Sequence, residues 1–289
     1  MPSPSVSIQQ QVSLAPYTTF RIGGPARFFC EVSSEAELLE AVRFARRQNL
    51  RIFVLGGGSN LLVSDAGFDG LVIHIAIRQP TRITSSEDST EYVAAAGIDW
   101  NDFVLAVCEQ GLSGVECLAG IPGYIGGTPV QNVGAYGQEV AETITEVRAF
   151  DLWALSALSN LSAPSNRSAV QSQEAPHEPE AIAFVTLPKD QCGFSYRHSI
   201  FNSTERNRYI VTEVTFQFDR TARPNLIYAD LARHFAQPGQ PAHPTPLDVY
   251  HVVRDIRRAK GMLLVEGEPD SRSAGSFFKN PIVPAAALA

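Results

Sequence analysis

Residues 120–137 read GIPGYIGGTPVQNVGAYG, and this stretch organises the chain. Glycines stand at 120, 123, 126, 127, 134 and 137, with Pro122 and Pro129 between them and no charged side chain. Glycine permits positive φ and lets another group approach the main chain closely. Bunched glycines with free N–H groups form a nest for an anion such as a pyrophosphate, and they also form plain turns between strands. A second cluster, Gly56-Gly57-Gly58-Ser59-Asn60, follows the apolar run 52–55. Neither cluster is GxGxxG or GxxxxGK[ST]. Together they argue for a dinucleotide held outside a Rossmann fold or a P-loop.

At 289 residues with 44% hydrophobic and 18% charged side chains, the chain can bury a sizeable core in two or three units. A formal charge of −7 speaks against a general nucleic-acid or anionic-membrane surface, while leaving room for a local basic pocket. Cys30, Cys108, Cys117 and Cys192 show no CxxC spacing, so no metal site is expected and a reduced, cytoplasmic setting fits. No signal-peptide pattern and no run of transmembrane length is read from the sequence.

Residues 1–17 read as a loose, polar segment. Ser34-Glu35-Ala36-Glu37 has the capping-box pattern and opens a helix with Leu38, Leu39, Val42 and Ala45 on one face. Asn49 is its expected stop. Residues 51–55 read as a buried strand, which puts Gly56–Asn60 at a strand's carboxyl end, a usual place for ligands in α/β units. Residues 71–77 and 92–96 read as strands. His74 lies inside the first, where a lone histidine is expected to be a packed core residue. Asp99 caps an expected helix at 101–110. The segment 151–183 is rich in Ser, Ala, Pro and Asn without a clear period and reads as an insertion without chemistry. A phase change near Glu213 in the strand 209–218 suggests a bulge. Helices are expected at 225–235 and from Thr245-Pro246-Leu247-Asp248 to a stop at Gly261.

GGGSNLLV at 56–63 followed by GIPGxxGGxxxQNxGAYG resembles the UDP-N-acetylenolpyruvoylglucosamine reductase family, flavoenzymes of peptidoglycan synthesis. YRHSIF at 196–201 and GSFFKNP at 275–281 agree, and the four motifs stand in the family's order. The resemblance implies an α+β fold. A two-subdomain FAD-binding domain of the vanillyl-alcohol-oxidase kind, about 18–75 and 76–219, precedes a partial substrate-binding domain at 220–289. It implies FAD and NADPH as cofactors, an enolpyruvyl ether of UDP-N-acetylglucosamine as substrate, no nucleic acid or membrane partner, and a monomer.

The resemblance also assigns roles. Gly56, Gly57, Gly58, Ser59, Asn60, Gly120, Pro122, Gly123, Gly126, Gly127, Gln131, Asn132, Gly134 and Ala135 are expected around the flavin nucleotide. Hydride addition at C3 of the substrate leaves charge delocalised from C2 into the carboxylate. Arg197 is expected to grip that carboxylate, since a guanidinium stays charged and offers two parallel donors. Ser276 is the expected proton donor to C2. Tyr196, Tyr228, Lys260, Lys279 and Asn280 are expected on the substrate. The segment beside Arg21 is expected near the flavin.

Two features depart from the family pattern. Asn202 stands where the YRxSxF motif is usually followed by Lys. The family continues well beyond Pro281 and places a catalytic glutamate near its C-terminus, so the chain reads as C-terminally truncated. The alternatives are an oxidase or dehydrogenase of the same fold, or a flavin-binding fragment that does not catalyse.

Overall fold

The computed structural model describes residues 6–154, 183–273, 275 and 280. The first sheet contains β1 (Gln9–Ser13), β2 (Pro25–Val32), β3 (Ile52–Leu55) and β4 (Phe68–Ile75) in the order β1-β2-β4-β3. β1 runs antiparallel to β2, and β4 lies parallel to both β2 and β3. The expectation of a loose segment at 1–17 is therefore corrected over residues 9–17, while residues 1–5 lie outside the described residues. Residues 9–13 pair with β2, and Thr19 N donates to the Gly58 carbonyl. β1 reads QQQVS and is almost wholly exposed, so its order rests on ladder hydrogen bonds that leave no apolar pattern to read.

Helix α1 (Glu35–Arg47) carries the chain from β2 to β3 and buries Leu38, Leu39, Ala41, Val42 and Ala45. Ser34 Oγ accepts from Glu37 N at its start. The reciprocal bond falls one residue earlier than a capping box has it: the Glu37 carboxylate accepts from Ser33 N and Ser33 Oγ. Asn49, at φ 51°, takes the left-handed conformation that ends the helix.

The second sheet is antiparallel throughout. It orders β5 (Arg82–Ser85), β6 (Ser89–Ala95), β9 (Ile144–Asp151), β10 (Phe184–Pro188) and β11 (Tyr209–Asp219) as β10-β9-β11-β6-β5. The bulge expected near Glu213 is the register shift between Val211 and Glu213. Helix α2 (Trp100–Glu109) is capped by Asp99 and stacks Trp100 and Phe103 against Phe216 of β11. Strands β7 (Gly134–Ala135) and β8 (Gln138–Glu139) make a short hairpin inside the glycine stretch. Burial and the nearby Glu37 push the Cys30 thiol up to about 12, so it packs as a small apolar group.

The insertion expected at 151–183 is narrower at its edges. Asp151 ends β9 and is buried, as is Ala183; residues 155–182 lie outside the described residues. The helix expected at 225–235 is α3 (Ala229–Phe235). Asn225 instead fastens the preceding segment: its N–H donates to Glu116 Oε1 and its amide to the Gly137 carbonyl. Glu116 is fully buried and also accepts from Ser113 Oγ and Gly114 N.

Helix α4 (Pro246–Ala259) has a complete capping box between Thr245 and Asp248. It stops at Gly261, φ 64°, where Gly261 N bonds Arg258 O and Met262 N bonds Arg257 O. The helix does not stand apart. Tyr250 and Arg254 both reach Asn101 on α2, so the smaller unit leans on the second sheet's helix. Among the described residues no helix is long and apolar enough to cross a membrane.

Arg208 holds Asp151 through both carboxylate oxygens, at 2.7 to 3.1 Å. Burial pushes the Asp151 carboxyl up, but Arg208 and the N–H groups of Trp153 and Ala154 hold it below its usual range overall. A depressed carboxyl contributes stability above its unfolded value of about 3.9 and loses it as pH falls through the lower folded value. Asp151→Asn is expected to cost about 2 kcal/mol at neutral pH, since it takes from a partly buried Arg208 one of its two carboxylate partners and leaves only Glu205. The deficit should shrink below about pH 4 in acid-unfolding curves followed by circular dichroism.

Candidate functional site

The two glycine clusters meet. A Cβ on Gly57 would lie 2.8 Å from the Gly123 Cα, so only glycine lets these main chains pass so closely. A Cβ on Gly123 would lie 3.0 Å from Ser59 Oγ, and Asn60 Nδ2 donates to Gln131 Oε1 at 3.1 Å. The N-terminal turn closes on the same place, with a Cβ at Gly58 (φ 64°) falling 1.9 Å from the Tyr17 carbonyl oxygen. The stretch around Gly123 is sewn into the second sheet's side by Trp100 N to Gly123 O, Ile125 N to Ile98 O and Gly126 N to Ala96 O.

A cleft of about 510 Å³ opens where these loops converge. Gly56 and Gly57 line it at the end of β3, facing Thr18, Thr19 and Arg21 of the N-terminal turn. Tyr124 and His74 contribute rings, and Leu264–Glu268 with Arg272 form the remaining side. Its size suits a small-molecule site. No side chain crowds Gly56, where a Cβ would meet nothing within 4 Å. Bare main chain at a strand's carboxyl end, opposite aromatic rings, fits a flavin nucleotide with its phosphates against N–H groups.

Other expected cofactor residues serve the loops themselves. Asn132 is buried at φ 46°; its amide donates to Glu139 and to the Ser195 carbonyl, and its oxygen accepts from Ala141 N. A Cβ on Gly120 would meet Leu263 and Arg257. Gly134 and Ala135 pair with β8, and Gly127 is open. Pro122 lies next to Gly123 in the stretch that crosses Gly57.

A second group assembles nearby. Ser195 and His198 exchange two main-chain hydrogen bonds of 3.0 Å, leaving Tyr196 and Arg197 at the tip of a tight turn. Arg197 is held at φ 50°, a conformation that costs a non-glycine residue about 1 kcal/mol. Its guanidinium lies over the Tyr196 ring at 5.9 Å, and Asn280 N donates to Tyr196 Oη at 3.5 Å. Asn202 is part of the turn's support, since its oxygen accepts from Ser199 N and its amide donates to the Arg197 carbonyl. Ser276 and Lys279 lie outside the described residues.

Tyr228, at the N-cap of α3 rather than within a helix, packs edge-on against Tyr136 with ring centroids 5.0 Å apart. Lys260 Nζ lies 5.9 Å from both rings and pairs with Asp230 at 2.6 Å. That hydrogen bond pushes the Lys260 ammonium up and the Asp230 carboxyl down from their ordinary values. Behind them Arg257 is buried and gives a bond to the Met262 carbonyl, and among the described residues its Nε has no partner. Sequence reading missed Arg257, Tyr124 and Asn101. Each acts across elements, and each looks like an ordinary residue within its own.

Comparison with known proteins agrees with this geometry. A family model described as an FAD binding domain matches residues 26–152. The UDP-N-acetylenolpyruvoylglucosamine reductase of Thermobifida fusca is 41% identical over 285 residues, covering 97% of this chain and 71% of that protein. The chain belongs to the UDP-N-acetylenolpyruvoylglucosamine reductase family. The Streptomyces coelicolor member is 43% identical, with 93% of this chain and 62% of that protein covered. The crystal structure of the Thermus caldophilus member superposes with a TM-score of 0.58 at 26% identity, over 96% of this chain and 75% of that one. The chain thus spans about two thirds of the length of its family members, and the expected α+β FAD-binding fold is the one it has.

Gly57→Ala is expected to part the two glycine loops, because the new methyl meets main chain rather than a movable side chain. FAD affinity should fall about tenfold or more while the circular-dichroism spectrum is retained, as read by flavin fluorescence titration.

Proposed function

We propose that the chain reduces the enolpyruvyl ether of UDP-N-acetylglucosamine to the lactyl ether of UDP-N-acetylmuramate, with NADPH as the electron source. The support is family identity across almost the whole chain, joined to one structural observation. The cation at 197 sits at the tip of a strained turn, carried by a tyrosine and braced from below by Asn202. Left-handed backbone at a non-glycine residue is costly and marks positions held for a purpose.

The flavin, when bound, supplies the hydride. The chain's residues supply orientation and charge. Arg197 is the group for the substrate carboxylate, where negative charge grows as the double bond is reduced; a fixed guanidinium there stabilises the transition state more than the ground state. Ser276 is the proposed donor of the proton to C2, and Lys279 and Asn280 its neighbours on the substrate. Tyr228 and Lys260 are proposed at the nucleotide diphosphate, and Asp230 must then release Lys260 or share it. The domain reading is part of the proposal, with 18–219 holding FAD and 220–289 contributing to the substrate side.

The test is anaerobic NADPH oxidation by the FAD-loaded chain, with and without the enolpyruvyl nucleotide. Turnover that depends on the nucleotide is the expected result. Reduction of the bound flavin by NADPH followed by no nucleotide-dependent turnover would sink this reading, as would rapid oxygen consumption with an alcohol in a separate aerobic assay. Arg197→Lys should lower kcat about a hundredfold while leaving flavin reduction by NADPH intact, because the point charge of lysine loses the two-pronged grip. Lys260→Ala should raise KM for the nucleotide about tenfold with kcat little changed, as expected for a contact made equally in ground and transition states.

A further inference from the structure

His74 carries a feature that a packed core histidine does not need. It stands on β4 in register with Leu55 of β3, the last strand residue before Gly56, and with Glu31 of β2. The three residues form one rung across the carboxyl ends of three parallel strands. Neighbouring Ile73 and Ile75 join the larger core, while His74 turns to the opposite face with Val72. There it packs beside Tyr17, Phe29 and Tyr124, with centroids 5.3, 6.3 and 6.0 Å away.

Its Nδ1 lies 2.8 Å from Glu31 Oε2. A carboxylate accepts, so Nδ1–H donates to Glu31, and Nε2 is the ring's remaining polar atom. Glu31 is half exposed and holds the ring from behind, on the strand away from Gly56. Among the described residues no hydrogen bond to the His74 side chain other than that of Glu31 is found, and His74 is one of the residues that line the cleft with Gly56 and Gly57. A histidine oriented by a carboxylate through one nitrogen, with the other offered to a ligand, is how proteins fix a ring for a specific contact.

We propose that His74 is a cofactor-binding residue whose Nε2 hydrogen-bonds the diphosphate of the flavin nucleotide, with Glu31 positioning the ring. The inference rests on FAD occupying this cleft. The diphosphate is the portion that the bare main chain of Gly56 and Gly57 suits, one strand away and just past the rung of Leu55 and His74. A phosphate oxygen accepts, so the bond uses the imidazolium, with Nδ1–H on the Glu31 carboxylate and Nε2–H on the phosphate, and it is charge-assisted.

The test compares FAD with riboflavin, which has the isoalloxazine and ribityl parts but no phosphate. His74→Phe keeps an aromatic ring among Tyr17, Phe29 and Tyr124 and removes both nitrogens. By fluorescence titration it should weaken FAD about tenfold, the loss of one charge-assisted hydrogen bond, and leave riboflavin within about twofold. Glu31→Gln lies on a half-exposed side chain, so folding is not at issue; it should weaken FAD by a smaller factor and leave riboflavin unchanged. Unchanged FAD affinity in both variants would overturn the proposal. So would equal losses for FAD and riboflavin, which would mean that the ring only packs. Failure of the wild-type chain to bind FAD at all would instead remove the premise that the cofactor occupies this cleft.

Discussion

Everything at the site depends on a contact between two main chains. The Cα of Gly123 lies where a side chain at Gly57 would have to be. Residues on either side extend that contact: Ser59 rests on Gly123, and Asn60 bonds Gln131. One loop leaves the first sheet at the end of β3, and the other is bonded to the second sheet's side at Ala96, Ile98 and Trp100. The cleft is therefore a property of how the two sheets are joined. Neither sheet has it alone.

The cationic side is built on the same joint from the opposite direction. Asn101 accepts from Gly120 N, at the start of the glycine stretch, and from Arg254 on α4. Glu116, without contact to solvent, takes N–H groups from Gly114 and from Asn225. Asn101 thus ties the glycine stretch to the helix that carries Arg257, and Glu116 ties the segment before that stretch to Asn225 ahead of α3. A buried carboxylate with three donors is worth keeping only where such a geometry must be held, since a partly satisfied one is costly.

Motifs were legible in the sequence because their chemistry is local. Glycine at 57, 58 and 123 is required by close approach or positive φ, and that requirement shows in composition. Helix ends were legible for the same reason: Asp99, Thr245 and Gly261 act on main chain within a few residues. Asn202 shows the limit of motif reading. It stands out only as a departure from a pattern, whereas its amide closes the turn that carries Arg197. The edge strand β1 left no trace, since ladder bonds have no residue signature.

The sequence by itself determined the family, the FAD-binding α+β fold and the presence of two glycine clusters, because these follow from residue types at short spacing. Only the tertiary structure decided which polar side chains face the cleft. His74 and Ile73 differ by one position in a strand, and the pleat sends them to opposite faces. Glu31 finds His74 across 43 residues, and Lys260 finds Asp230 across 30. Partners at that separation are set by strand register and by the docking of α4, which no local pattern encodes.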